Sequence, residues 1–394
     1  MNFITIRFFY CNMEEFRESS KLFNETLSKE IRQENGIFFT PKTARDKLFE
    51  ILNKNKIKPK TILEPSFGSG EFLDDLYKNY PKAEIHGVEL NKQLYENYPN
   101  KKNLVNDNFL DYESKPVDLI VGNPPYFNVK DKNLECMTGH GNIYILFLYK
   151  CLTKHLKKNG VLAFVLPTSL YNSSYYEPCR KYIADNTTIL AVEDLKVKYY
   201  ETSQKTMILV IQNKPSKEKP FIFERSGNTY ISPYYKELVE LVDKTKTLEE
   251  LGYKIKTGEV VWNQNKDLLS DKGDLIIYTT NIVDNKLVLN NLGTNKKQYI
   301  KDFKKPITKG PAILVSRGYG NSYRFSFVKV GDIEFYGENH INVIYPTSDE
   351  AKKYIDNIET SFKNEKTEKF IKYFVGNGAL SKTELETVLP IFLD

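Results

Sequence analysis

A chain of 394 residues is long for one ordinary domain and sufficient for two, each with its own core. Its 57 Lys and Arg against 51 Asp and Glu leave a net charge of +6, a mild basicity that permits a polyanionic partner without requiring one. Cys11, Cys136, Cys151 and Cys179 show no paired CxxC spacing and do not cluster with the four histidines as a ligand set, so neither a metal site nor a disulfide framework is indicated and a reducing, cytoplasmic setting is expected.

Residues 1–30 read as an N-terminal extension. Its start is aromatic but carries Arg7 and has no long apolar run, so neither a signal peptide nor a membrane span is expected. Between positions 61 and 212, short apolar runs alternate with amphipathic stretches, as in a sheet wound with crossover helices. Strands are predicted at 61–63, 85–88, 119–121, 161–166, 189–192 and 207–211, with a helix opening at Glu71. The polar run 213–219, with Pro215, breaks this rhythm. One domain is therefore expected over 31–214 and a second, of mixed strands, loops and glycine-rich turns, over 215–394.

The segment Glu64-Pro65-Ser66-Phe67-Gly68-Ser69-Gly70 lies between the first predicted strand and the first helix, where α/β sheets bind nucleotides. Gly68 and Gly70 let the backbone turn sharply and approach a ligand. Glu89, at the end of the next strand, is placed to accept from two ribose hydroxyls. The third glycine of a dinucleotide fingerprint is missing, with Leu73 in its place.

A second strand, 118–122, ends in Asn123-Pro124-Pro125-Tyr126. Two prolines cannot donate to a sheet ladder, so the chain must leave the strand there with its carbonyls available as acceptors. An aniline-like amino group is a weak nucleophile because its lone pair is delocalised into the ring. The Asn123 side-chain oxygen and the Pro124 carbonyl can grip its two hydrogens and free that lone pair, while Tyr126 stacks on the base. A sulfonium methyl donor then needs positioning rather than a strong base.

Taken in order, Gly68 to Gly70, Glu89 and the Asn-Pro-Pro-Tyr turn resemble the gamma-type DNA adenine-N6 methyltransferases of type II restriction-modification systems. The resemblance implies an α/β fold: a Rossmann-like S-adenosylmethionine-dependent methyltransferase domain followed by a C-terminal mixed α/β target-recognition domain. It implies S-adenosylmethionine as cofactor, double-stranded DNA as partner with the target base flipped out, a separately encoded restriction endonuclease, action as a monomer and no membrane. Residues 33–41 are similar to the motif that closes over the methionine part of the cofactor, with Thr40 as the contact. Glu64 and Pro65 belong to the cofactor motif. Residues 106–110 are similar to the segment that meets the cofactor adenine, where either Asp107 or Asn108 is the ligand. A second aromatic face for the flipped base is expected from Tyr199, with Tyr200 as the alternative.

Beyond position 220 no catalytic constellation stands out. The stretches 256–263, 313–320, 338–343 and 380–390 look like recognition domains of the same family. Within them Lys256, Arg317 and Arg324 are the candidate DNA contacts, as a lysine point charge or a guanidinium fork. Trp262 and Asn263 read as core and turn residues. The same tetrapeptide chemistry also suits a protein glutamine amide, whose enzymes need no large C-terminal DNA-binding half, or an RNA base.

Overall fold

The computed structural model describes residues 16, 17, 20, 39–129, 133–195, 205–317, 325–376 and 380–393. Tyr199, Tyr200 and Arg324 lie outside the described residues, as do most of the N-terminal extension and positions 33–38 of the segment around Thr40. The chain divides into two compact units. One takes the described residues up to Ile222 together with Thr229–Tyr235, and the other takes Phe223–Asn228 and Lys236–Asp394.

In the first unit the elements run α1 (Lys42–Lys54), β1 (Thr61–Glu64), α2 (Glu71–Asn79), β2 (Glu84–Glu89), α3 (Lys92–Asn97), β3 (Leu104–Asn106), β4 (Val117–Gly122), α4 (Ile143–Lys150), β5 (Leu156–Pro167), α5 (Glu177–Asn186), β6 (Thr188–Leu195) and β7 (Thr206–Gln212). The seven strands form one sheet in the order β6-β7-β5-β4-β1-β2-β3. All neighbours from β5 through β4, β1 and β2 to β3 pair in parallel, and β7 is antiparallel to both strands it touches. Strand order reverses between β1 and β4, so the crevice beyond their carboxyl ends is where such a sheet binds ligands. Both glycine-turn and tetrapeptide leave the sheet at that point. All six predicted strands are present. The seventh, β3, is a three-residue edge strand, too short to show a period of two.

Side chains alternate across the sheet into two cores. Ile62, Leu119, Val121, Val161, Ala163, Ile208 and Val210 pack with Leu48, Phe49 and Leu52 of α1 and Leu76 of α2. Their neighbours Leu63, Ile120, Leu162, Phe164, Met207 and Leu209 pack with Tyr144, Phe147 and Leu148 of α4 and Ile183 of α5. Cover on both faces is what near-continuous apolar strands such as β4 require. Asp118 locks the start of β1 to β4. Burial opposes its charge, but hydrogen bonds from Lys157, from the backbone of Thr61 and Lys60 and from the Thr61 hydroxyl win, and hold its carboxyl at about 2.

Residues 229–235, expected in the second domain, belong to the first unit for a physical reason. Arg180 is 1% exposed, and its guanidinium donates to the carbonyls of Thr229, Leu170 and Ser173 and to the Glu177 carboxylate. Thr229 N in turn donates to Glu177 Oε1 at 2.9 Å, and Ile231 N to Tyr171 O at 3.0 Å.

The second unit is built on a four-stranded antiparallel sheet of β8 (Tyr253–Thr257), β10 (Ala312–Ser316), β11 (Phe327–Val330) and β13 (Ile341–Pro346), in the order β8-β13-β10-β11. A second sheet contains β9 (Asp274–Ile277) paired in parallel with β12 (Glu334–Gly337). Ile277, Leu314, Val328, Phe335, Ile341 and Val343 form a shared core. Near the C-terminus Ser381 and Glu384 make a reciprocal capping box that starts the helix Lys382–Thr387, so this part of 380–390 has a structural function. Among the described residues no helix is long and apolar enough to cross a membrane, and no group of three or more His, Cys, Asp or Glu is placed to hold a metal.

Candidate active site

The turn after β1 is held by its own backbone and by Glu89. Phe67 N donates to Val88 O at 3.1 Å, and Gly70 N returns to Phe67 O at 2.8 Å. Glu89 Oε2 accepts from Gly68 N and Oε1 from Asn91 N, both at 2.7 Å. Gly68 and Gly70 have φ of +57° and +89°, a region that side-chain-bearing residues rarely adopt. A Cβ on Gly70 would fall 2.2 Å from the Tyr98 ring, whereas one on Gly68 would find its nearest neighbour, Phe39, at 3.8 Å. Gly70 thus serves the packing of the turn and the start of α2. Gly68 borders a space in which only the Phe39 ring comes within 4 Å of that Cβ position.

That space is a cleft of about 230 Å³. Ser66, Gly68, Glu89, Asp107, Asn108 and Asn123 supply its polar wall, and Phe39, Leu90, Phe109, Phe127, Ile143 and Phe147 most of its apolar one. Pro65 and Pro125 complete it from the two strand ends. Segments far apart in the sequence, each with its own chemical signature, therefore meet at one opening. Thr40, Glu64 and Gly70, expected as cofactor contacts, are not among the lining residues. Thr40 instead sits 3% exposed behind the cleft, its hydroxyl accepting from Asn123 Nδ2 at 3.0 Å.

Asn123 is fixed at both ends of its amide. The nitrogen is held by Thr40, and the oxygen lies against the Tyr126 hydroxyl, whose one hydrogen is shared between it and Val165 O at 2.8 Å. Tyr126 is 9% exposed with its ring edge-on to Tyr144. Pro124 is buried, and neither it nor Tyr126, both expected at the reacting group, is among the residues that line the cleft.

Asp107 and Asn108, equivalent as acceptors in the sequence, differ in what already occupies them. Asn108 Oδ1 accepts from Leu110 N and its Nδ2 donates to Asp111, so its amide caps the turn at 108–112. Asp107 is exposed and engages one carboxylate oxygen, with Asn108 N at 2.8 Å.

The site carries a negative field. Burial pushes the carboxyls of Glu64, Glu71 and Glu89 upward, and for Glu64 the nearby Glu89 and Glu71 add to the effect. Glu64 is 1% exposed and its Oε2 has no hydrogen-bond partner. Arg45 relieves the cluster in part, 3.5 Å from Glu71 and 2.6 Å from Asp75.

Sequence reasoning missed the apolar wall and its supports. Ile143 and Phe147 are four apart on α4 and share a face. One turn on, Lys150 reaches back to donate to the carbonyls of Leu110 and Tyr112, at 2.9 and 2.6 Å. A π turn, Cys151–His155, then swings His155 under Phe109 and Tyr112, with its Nδ1 2.9 Å from the Ser114 hydroxyl. In sequence these are ordinary residues of an apolar helix. Leu90, beside Glu89, is likewise ordinary in the sequence, and only the structure shows it 70% exposed at the cleft.

The profile of the Eco57I restriction-modification methylases matches residues 3–200, a span that holds every one of these cleft residues. The chain belongs to the Eco57I restriction-modification methylase family. This methylase is 32% identical to Modification methylase CviBIII of Paramecium bursaria Chlorella virus NC1A, across 97% of its own length and all of that protein's. It is 31% identical to Type II methyltransferase M.CvrRI of Paramecium bursaria Chlorella virus XZ-6E, across 96% of its length and again all of the relative. Among solved structures, the modification subunit of a putative type I restriction enzyme from Vibrio vulnificus YJ016 aligns with a TM-score of 0.39 at 20% identity, covering 50% of this chain and 49% of that one.

In the methylase's second unit, Lys256 is part-exposed with its ammonium 3.9 Å from Glu259. Arg317 is exposed and donates to Asn339 O at 3.2 Å. Trp262 is half-buried against a small core, with Lys266 and Lys296 over its ring.

Proposed function

We propose that the chain transfers the methyl group of S-adenosylmethionine to the N6 amino group of an adenine in a short duplex DNA sequence, the adenine being turned out of the helix to reach the cleft. One observation carries this reading. Asn123 and Pro125 of the Asn-Pro-Pro-Tyr turn line the same cleft as Gly68 and Glu89, which puts the candidate acceptor for an amino group and the candidate ribose-binding carboxylate on one cavity. The names of the family and of the full-length relatives, all modification methylases or type II methyltransferases, favour DNA over RNA or protein.

The cleft's charge suits S-adenosylmethionine better than a dinucleotide. Three buried carboxylates around the glycine turn would repel a pyrophosphate, whereas a sulfonium and an ammonium would relieve them. Glu89 would take the ribose hydroxyls, Asp107 the adenine amino group and Phe109 and Leu90 the adenine faces, while Glu64, buried behind the lining residues, would favour the ammonium through its charge. The bound cofactor supplies an electrophilic methyl group. The protein's own task is to present the nucleophile. Thr40 holds the Asn123 nitrogen, so the amide oxygen is the end presented to a donor, and a carbonyl oxygen has lone pairs for more than one. With the Pro124 carbonyl it would accept the two amino hydrogens and localise the lone pair. Tyr126, tethered at Val165, and Tyr199 or Tyr200 would receive the base faces. Lys256, Arg317 and Arg324 would contact DNA.

The test is incubation of the purified chain with S-adenosylmethionine and unmethylated duplex DNA, followed by mass spectrometry of the digested nucleosides. N6-methylated adenine nucleoside is expected. Its absence, with cofactor binding intact, would overturn the reading in favour of an RNA or protein acceptor.

Two positions refine the cofactor half. Asp107→Ala is expected to raise the cofactor KM about tenfold, the worth of one good hydrogen bond, with little change in melting temperature. Asn108→Ala should do the opposite, lowering melting temperature through the lost turn cap more than it raises KM; the reverse pattern would give the adenine contact to Asn108. Lys150→Met should raise the cofactor KM about fivefold and leave kcat nearly unchanged, because it releases the loop that carries Asp107 and Phe109 without touching the tetrapeptide. A fall in kcat alone would argue against that division.

A further inference from the structure

In the second unit a buried carboxylate is spent on an exposed ring. Glu338 is 1% exposed, and its oxygens accept from the Nδ1 and the backbone N of His340, at 2.6 and 3.2 Å. The His340 side chain itself is 64% exposed. Burying a carboxylate is costly, and an apolar residue would fill the site more cheaply if packing were all that mattered.

The turn at 338–340, which joins β12 to β13, is fixed from several sides. Glu338 N donates to Ile277 O, Asn339 N to Val260 O and Arg317 N to His340 O, each at 3.0 Å. Gly258, just past β8, lies directly on it, for a Cβ there would fall 2.2 Å from Glu338 O. Arg317 and Lys256 bring exposed or part-exposed cations to the same end of the sheet.

A carboxylate can only accept, so the hydrogen of a neutral His340 ring must sit on Nδ1. Nε2 is then an acceptor carried on a rigid turn and turned to solvent. In the major groove its complement is an exocyclic amino group, adenine N6 or cytosine N4. We propose that His340, held in one tautomer by Glu338, reads an amino-bearing base at one position of the recognition sequence. This rests on the reading of duplex DNA as the substrate.

The experiment is methylation of a duplex library with randomised sequence by the wild type, His340→Ala and Glu338→Gln, with sequencing of the methylated molecules. At one position the wild type should favour adenine or cytosine by about tenfold or more, and the base found says which amino group is read. His340→Ala should flatten that position to within about twofold and leave the others intact. Glu338→Gln, whose amide can accept from or donate to Nδ1, should weaken the same preference. A uniform loss on all sequences, or an unchanged preference in His340→Ala, would overturn the inference alone. No methylation by the wild type would overturn the DNA reading and this with it.

Discussion

Asn123→Ala is expected to lower the methylation rate about 10²–10³-fold, the usual cost of removing one preorganised polar contact to a reacting group. Cofactor affinity should stay within about threefold, since Glu89, Asp107 and the apolar wall remain. The size of the effect follows from how firmly the amide is held. Its nitrogen is engaged by Thr40 and its oxygen lies beside a hydroxyl that is itself anchored on Val165, so both ends of the amide are held in place. Thr40→Val provides the graded control. It keeps shape and removes the hydroxyl to which Asn123 Nδ2 donates, which loosens the amide; a loss of about tenfold in kcat with cofactor KM unchanged is expected. Single-turnover methylation with saturating cofactor measures both. If Asn123→Ala lost cofactor binding in proportion to rate, the residue would belong to the cofactor's pocket and not to the reacting amino group.

Much of the first unit is legible in the amino-acid sequence because its rules are local. Apolar runs of three to six residues, glycines at a strand end and a double proline each have a physical reason at their own position, and β1, β2, β4, β5, β6 and β7 fall where those runs are. What local rules cannot supply is contact between distant segments. Thr40 has the marks of a cofactor contact, but 83 residues later Asn123 turns out to be its partner. Gly70 has those of a ligand-facing glycine, and only the Tyr98 ring, brought in from beyond β2, shows that the glycine is there to make room for a side chain. Asp107 and Asn108 are chemically interchangeable as acceptors in a sequence; Leu110 and Asp111 separate them by occupying one of the two.

The second unit is less legible for the same reason. Its strands are short, its sheets draw on segments up to about ninety residues apart, and side-chain pairs such as Glu338 with His340 carry meaning only once burial is known. Arg317 stands out by charge alone, and its placement beside Asn339 and His340 gives it a setting that charge does not.

Glu64→Gln is expected to raise the Kd for S-adenosylmethionine about tenfold, by removing a buried charge that attracts the cofactor's ammonium from behind the lining residues, and to remove part of its pH dependence. Burial, with Glu89 and Glu71 adding to it, holds the Glu64 carboxyl well above the usual carboxylate range. Below that raised value the group carries a proton and offers no charge to an ammonium. Binding must then expel the proton, and affinity falls as pH drops through the window, by up to about tenfold per pH unit. The contribution to folding runs the other way. An acid whose folded value is raised stabilises the fold while it is protonated and loses that contribution as pH rises through the folded value, so the ligand-free protein should soften over the same window in which cofactor binding strengthens. Glu71 and Glu89 are also raised and will contribute slope of their own, which the variant retains. The difference between wild type and Glu64→Gln therefore isolates Glu64. Calorimetric titration in two buffers of different ionisation enthalpy reads the proton directly: the wild type should release it on binding at the acid end of the window, and the variant should release less. Equal proton release and parallel affinity profiles would mean that the orphaned carboxylate beneath Pro65 is met by something other than the cofactor's amino group.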